Sequence, residues 1–161
     1  MRIIPFFIYL LIIALFKVIL QDLTTIYGIS INITALLVMI VAIYKSEMIS
    51  LWFGFIAGLV LSAGSPQHFG AYVITTAALG IVTYHSRERL NLDSLYSRLL
   101  LILFGVIPYS ALILLINNID GFGYLFITNI LPSAIYTTLI GWVFFLIKED
   151  RITLFKIKSL F

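Results

Sequence analysis

The chain has 161 residues, of which 62% are hydrophobic and 11% charged, and its ten basic and seven acidic residues leave a net charge of +3. About a quarter of the residues of a soluble domain are charged, and with a mean hydropathy of +1.15 this chain has too little polar surface to cover a water-facing globule. The composition therefore excludes a soluble enzyme, a nucleic-acid-binding domain and a disordered segment, and the absence of cysteine excludes disulfides.

Long stretches without Lys, Arg, Asp or Glu predict helices that cross a membrane, since about 20 helical residues span about 30 Å of hydrocarbon. The longest stretch, Met48 to Ser86, would form a helix roughly 58 Å long. It must fold back at Ala63 to His68, where glycine and proline favour a turn. We therefore predict one all-α domain, residues 1–161, in which six transmembrane helices form a compact bundle. The predicted spans are Ile3 to Leu20, Ile29 to Tyr44, Met48 to Ser62, Phe69 to Tyr84, Leu99 to Ile116 and Ile127 to Ile147.

The basic residues are sorted to one side of this arrangement. With six spans, nine of the ten lysines and arginines fall on the side of the two termini, and Lys17 alone falls on the other. Lysine and arginine accumulate on the cytoplasmic side of membrane proteins. We therefore expect a multi-pass protein with both termini in the cytoplasm, and we expect the Lys17 amine to reach toward the headgroups.

Small residues recur every four positions in two of the predicted spans. In lipid, such ridges let helices approach closely. The ridges are Gly54, Gly58 and Ser62 in the third span and Ser133, Thr137 and Gly141 in the sixth. We expect both to pack within the bundle, and docking of a partner helix is the alternative. We also expect Pro108 to kink the fifth helix and Pro132 to lie in the first turn of the sixth.

Residue patterns typical of catalysis are missing from the sequence. It contains no Gly-Lys-Ser phosphate loop, no His-Glu-x-x-His and no Gly-x-Ser-x-Gly, and no ionisable residue lies in the middle of a predicted span. We therefore expect no catalytic, cofactor-binding or metal site.

Three arginines, Arg87, Arg89 and Arg98, mark the longest predicted cytoplasmic loop, Ser86 to Arg98. Our hypothesis is that this loop lies against anionic lipid or a partner. The simpler alternative is that the arginines only fix the topology.

Two segments resemble the MreD family of bacterial rod-shape proteins. The first runs from Gly54 through Gly58 and the Ser-Pro turn to Gly70, and the second is Leu131 to Thr137. The length, the six predicted spans and the expected cytoplasmic termini are also similar to that family. MreD proteins usually have an acidic residue where Ser62 stands and often an asparagine where Thr137 stands, so no family role is assigned to these two positions.

The resemblance implies a non-enzymatic scaffold of the cell-elongation complex in the bacterial inner membrane, which helps to coordinate peptidoglycan synthesis with cell shape. The implied partners are an MreC-like single-span protein, RodA, a class B penicillin-binding transpeptidase, MreB filaments and membrane lipids, but no nucleic acid. The candidate packing or partner-binding residues are Gly54, Gly58, Ser62, Gly70, Pro132, Ser133, Tyr136, Thr137 and Gly141.

A substrate-capture subunit of an energy-coupling-factor vitamin transporter is the alternative, because its six-helix fold is similar to that expected of MreD. The short third and fourth spans and the pair Asn117 and Asn118 favour it. Such subunits usually carry an Ala-x-x-x-Ala ridge in the first helix, whereas Ala14 is the only alanine of this predicted first span.

Overall fold

The computed structural model describes residues 4–15, 17, 29–63, 66–90, 92, 94–117 and 121–148. In these ranges the chain forms six helices and no strand, which confirms the predicted all-α class. We number the helices α1 Ile4–Leu15, α2 Ile33–Tyr44, α3 Glu47–Ser62, α4 Phe69–Arg89, α5 Leu95–Asn117 and α6 Phe122–Lys148. A 3-10 turn, Pro66–His68, leads into α4, as the turn chemistry of this segment predicts.

Two of the helices in the described ranges are long and apolar enough to cross a membrane. Helix α5 has 23 residues and a mean hydropathy of 2.7, and α6 has 27 residues and a mean hydropathy of 1.9. Helices α2 and α3 are apolar but have 12 and 16 residues. Among the described residues, α5 and α6 therefore carry the predicted transmembrane character.

Helix α2 is the centre of the bundle. All nine residues from Ala35 to Ile43 are buried, and the helix contacts α1, α3, α4, α5 and α6. Its sequence is apolar on every side, which is typical of a helix surrounded by protein. The helix begins where the side chain of Asn32 accepts a hydrogen bond from the Ala35 amide at 3.2 Å, a standard N-cap contact.

Helices α4 and α5 extend beyond the fourth and fifth predicted spans. Helix α4 continues to Arg89 instead of ending at Tyr84, and α5 begins at Leu95 instead of Leu99. Basic residues in the last turn stabilise the C-terminus of α4. At the other end of the connection, the Ser94 hydroxyl caps α5 by accepting the Ser97 amide at 3.1 Å. The predicted arginine loop is therefore mostly helical, because Arg87 and Arg89 end α4 and Arg98 lies in the first turn of α5.

Pro108 and Pro132 lie in the interior of helices. Pro108 is internal to α5, which stays helical on both sides of it. Helix α6 starts well before Pro132, so this proline does not lie in its first turn. The π-helical turn Phe126–Ile130 precedes Leu131–Lys148. Proline lacks an amide hydrogen and its ring crowds the carbonyl four residues earlier, which accounts for a widened turn at this point.

Helix α1 covers the first part of the first predicted span. The remainder of that span lies outside the described residues, with the exception of Lys17. The Lys17 amine donates a hydrogen bond to the carbonyl of Leu61 in the last turn of α3.

Candidate functional site

The small residues of α3 lie against the backbone of α4. A Cβ added at Gly58 would lie 2.6 Å from Val73 Cα, and one added at Gly54 would lie 2.7 Å from the carbonyl oxygen of Thr76. Ser62 is buried and donates to the Leu59 carbonyl of its own helix at 2.8 Å. This ridge therefore packs inside the chain and is closed to a partner helix.

A second close approach in the same hairpin was missed by sequence reasoning. An added Cβ at Gly80 of α4 would lie 2.7 Å from the carbonyl oxygen of Ser50 in α3. The sequence signal was the glycine itself, in the middle of an otherwise regular helix. Three glycines thus let α3 and α4 form the most extensive helix pair of the described fold.

The small residues of α6 lie against α2, the residues directly before it, and α5. The Ser133 hydroxyl donates to the Ser30 carbonyl at 2.6 Å, and the Thr137 hydroxyl accepts the Asn32 amide at 3.0 Å. A Cβ added at Gly141 would touch Leu36 and Ile102 side chains, both at 3.1 Å. This ridge is also internal. The other candidates differ: Pro132 and Tyr136 are half-buried, and Gly70 is exposed with no atom within 4 Å of an added Cβ.

Asn32 is the main polar junction that sequence reasoning missed. Besides capping α2, its side-chain amide donates to the Ser110 hydroxyl of α5 at 3.2 Å. Its backbone amide reaches Thr137 of α6, so one residue connects three helices. The available signal was an asparagine directly before a long apolar run, which is a typical helix start.

We define the basic end of the bundle by Tyr44, Arg87, Arg98 and Lys148. Its cations bind groups of the same chain. The Arg87 guanidinium donates to three carbonyl oxygens at the C-terminus of α2, those of Ala42 at 3.2 Å, Ile43 at 2.7 Å and Lys45 at 3.0 Å. A cation at this position also offsets the negative end of the helix dipole. Arg87 therefore has a structural role.

Tyr44 is the meeting point of the two other cations. The Arg98 guanidinium donates to the Tyr44 hydroxyl at 3.5 Å and to the Leu92 carbonyl at 2.7 Å. The Lys148 amine lies 3.0 Å from the centroid of the Tyr44 ring, a cation–π contact. Of the three arginines in the hypothesis, Arg87 and Arg98 thus contact protein groups, whereas Arg89 is exposed.

An apolar groove runs between α4 and α5 and is the candidate docking site. Its volume is about 230 Å³. Each wall is one face of a helix at three- and four-residue spacing. The α4 wall consists of Thr75, Ala78, Leu79, Val82, Thr83 and Ser86, and the α5 wall of Leu101, Phe104, Gly105, Pro108, Tyr109 and Leu112. Met39 of α2 closes the floor, and Val82 and Phe104, 62% and 68% exposed, stand at the rim.

A cavity of about 330 Å³ lies at the end of the bundle opposite the basic end. We name it the Lys17 cavity. It is lined by Ile13, Lys17, Ser30, Ile31, Asn32, Ile33, Thr34, Leu61, Tyr72, Tyr109, Ile113 and Ser133. A neighbouring cavity of about 220 Å³ shares four of these residues and extends to Asn117 and Asn129. Asn118, predicted to lie beside Asn117, is outside the described residues.

Within the described ranges, no group of three or more histidine, cysteine, aspartate or glutamate side chains is placed to hold a metal ion. Comparison of the chain with protein-family models, curated protein sequences and solved structures finds no match.

Proposed function

We propose that this protein is a membrane scaffold of the MreD type, which binds the transmembrane helix of an MreC-like protein and helps to coordinate peptidoglycan synthesis with cell shape. The observation that carries the proposal is the α4–α5 groove. The surface of the groove is mainly apolar, Val82 and Phe104 are exposed at its rim, and the small residues Ala78 and Gly105 also line it. Small residues beside large apolar ones are what close helix packing in lipid needs.

The location of the other candidate surfaces supports the choice of this groove. The ridges of α3 and α6 are occupied by neighbouring helices of the same chain, so neither is open to a partner. The resemblance of Gly54–Gly70 and Leu131–Thr137 to MreD suggests the partner class. In this proposal the same complex also contains RodA, a class B transpeptidase and MreB filaments.

The proposal includes a six-span arrangement in the inner membrane with both termini in the cytoplasm. Its support is the sorting of charge: the described cations Lys45, Arg87, Arg89, Arg98 and Lys148 lie at one end of the helices, and Lys17 lies at the other. Reporter fusions test it. Tags on the two termini should both respond as cytoplasmic, and tags on opposite faces would contradict the arrangement.

Site-specific photo-crosslinking in intact cells tests the docking surface. A photoreactive amino acid replaces Val82 or Phe104 in the groove, and replacement of Trp52, which is 59% exposed on α3, is the matched control. We expect an MreC-like single-span protein to be captured from the groove positions and not from the control. Equal capture from all three positions, or capture of unrelated membrane proteins only, would contradict the proposal.

A second candidate function is substrate capture for an energy-coupling-factor transporter. The Lys17 cavity favours it, because it is partly polar and lies at the end where such a subunit would collect its substrate. The same crosslinking experiment separates the two functions. Capture of a coupling protein and its ATPases would support transport in place of the scaffold.

A further inference from the structure

Among the described residues, no acidic side chain lies beside the Lys17 ammonium. Its ammonium has three N–H donors, and the Leu61 carbonyl accepts one of them. The acidic side chains among the described residues are Glu47 and Glu88, which begin α3 and end α4 at the basic end. A half-buried charge without a counter-charge is unfavourable, and the penalty falls when an anion binds beside it.

Several other polar groups of the Lys17 cavity already bond to the protein. The Tyr72 hydroxyl bonds to Asn117, and the Ser133 hydroxyl donates to Ser30. No buried polar side-chain atom in the described part of the chain lacks a hydrogen-bond partner. Lys17 is the only charged residue among the described residues that line the cavity, and two of its donors have no partner among them.

The size and the apolar part of the wall limit what fits. The volume of about 330 Å³ is at the lower end of the range of about 300–1,000 Å³ found for small-molecule sites. Ile13, Ile31 and Ile113 provide an apolar surface beside the ammonium. A fitting ligand thus has an anionic oxygen group at one end and a short apolar body.

We propose that the Lys17 cavity binds a small amphipathic oxyanion, whose carboxylate or phosphate oxygens accept hydrogen bonds from the Lys17 ammonium while its apolar part lies against Ile13, Ile31 and Ile113. The oxyanion is either a free metabolite or the headgroup of a lipid. This binding does not depend on which partner docks in the α4–α5 groove, so it holds under both proposed functions.

Ligand-detected NMR on the full chain in non-ionic detergent tests the site with three probes: sodium hexanoate, hexanamide and inorganic phosphate. We expect saturable hexanoate binding with a dissociation constant of about 1 mM, as small ligands of this size allow. Hexanamide lacks the charge and phosphate lacks the apolar body, so each should bind at least tenfold more weakly. Absence of saturable hexanoate binding, or equal binding of hexanamide, would overturn the proposal.

Variants identify the residue responsible. Lys17→Gln should weaken hexanoate binding at least tenfold and Lys17→Arg should retain it. Arg89→Gln removes one cation from the basic end and should leave binding unchanged. Ile113→Phe reduces the volume of the cavity and keeps the Lys17 ammonium. This variant is used to test the site if Lys17→Gln does not fold. Hexanoate affinity unchanged in Lys17→Gln, or in Ile113→Phe, would show that the site is elsewhere and overturn the proposal.

The source of the oxyanion is decided in nanodiscs. Weaker apparent hexanoate binding in phosphatidylglycerol than in phosphatidylcholine would show that an anionic lipid headgroup occupies the site. Equal binding in both lipids would show that a free oxyanion is the ligand. Either result supports the site as long as binding still depends on Lys17, and loss of that dependence would overturn the proposal.

Discussion

The side chains of Tyr72 and Asn117 bond to each other and connect the ends of α4 and α5. The Tyr72 hydroxyl donates to the Asn117 side-chain oxygen at 2.9 Å, and the Asn117 side-chain nitrogen donates to the Tyr72 hydroxyl at 2.8 Å. Tyr72 also lines the Lys17 cavity, and Asn117 lines the neighbouring one. The pair therefore joins a residue that lines the Lys17 cavity to a residue that lines the neighbouring cavity.

A double-mutant cycle on Tyr72→Phe and Asn117→Leu measures the strength of this contact. We expect each single variant to destabilise the fold, and we expect a coupling energy of about 0.6 to 1.7 kcal/mol, the range found for hydrogen bonds between membrane helices. Unfolding by denaturing detergent gives the free energies. Strictly additive effects would show that the two side chains do not bond in the protein.

Gly58→Ala should separate α3 from α4. The new Cβ would lie 2.6 Å from Val73 Cα. This is a backbone atom, so a change of side-chain rotamer cannot relieve the clash. We expect a loss of about 1–3 kcal/mol of stability, the usual cost of overpacking. Gly70→Ala is the control, because no atom lies within 4 Å of its added Cβ, and it should change the stability by less than about 0.5 kcal/mol. Equal effects of the two variants on the detergent unfolding midpoint would contradict this packing.

Asn32→Ala should destabilise the bundle more than Ser110→Ala. The first change removes both the cap of α2 and the bond to Ser110, whereas the second removes only the bond. Loss of an N-cap costs about 0.5–2 kcal/mol, so we expect a difference of about 1 kcal/mol. Thermal unfolding followed by circular dichroism measures it. Indistinguishable transitions would argue that the cap contributes nothing.

Arg87→Gln and Arg89→Gln remove the same charge from the same turn of α4 but should differ in effect. Arg87 donates to three carbonyl oxygens at the end of α2, and hydrogen bonds of charged groups contribute about 1.5–3 kcal/mol. We expect a loss of this size for Arg87→Gln and less than about 0.5 kcal/mol for the exposed Arg89. If lipid contact alone explained the arginines, both variants would leave stability in detergent unchanged.

The sequence alone determined the all-α class and the approximate positions of the helices, because burial in an apolar setting requires long runs without charge and a backbone that satisfies its own hydrogen bonds. The turn at Ala63–His68 and the small-residue ridges were also readable, since glycine, proline and residue spacing are local signals. The end of the fourth predicted span does not mark the end of α4, because charged residues interrupt an apolar run without ending a helix. Arg87 and Arg89 continue α4 as cations at its C-terminus.

Only the tertiary structure decided which surfaces are used inside the chain and which stay open. The spacing of residues in the sequence does not predict that Gly58 packs against Val73, or that Arg87 donates to the last carbonyls of α2. Both contacts join different helices. The groove between α4 and α5 and the cavity beside Lys17 arise for the same reason. Each is a space between helices, and its walls come together only when the helices pack.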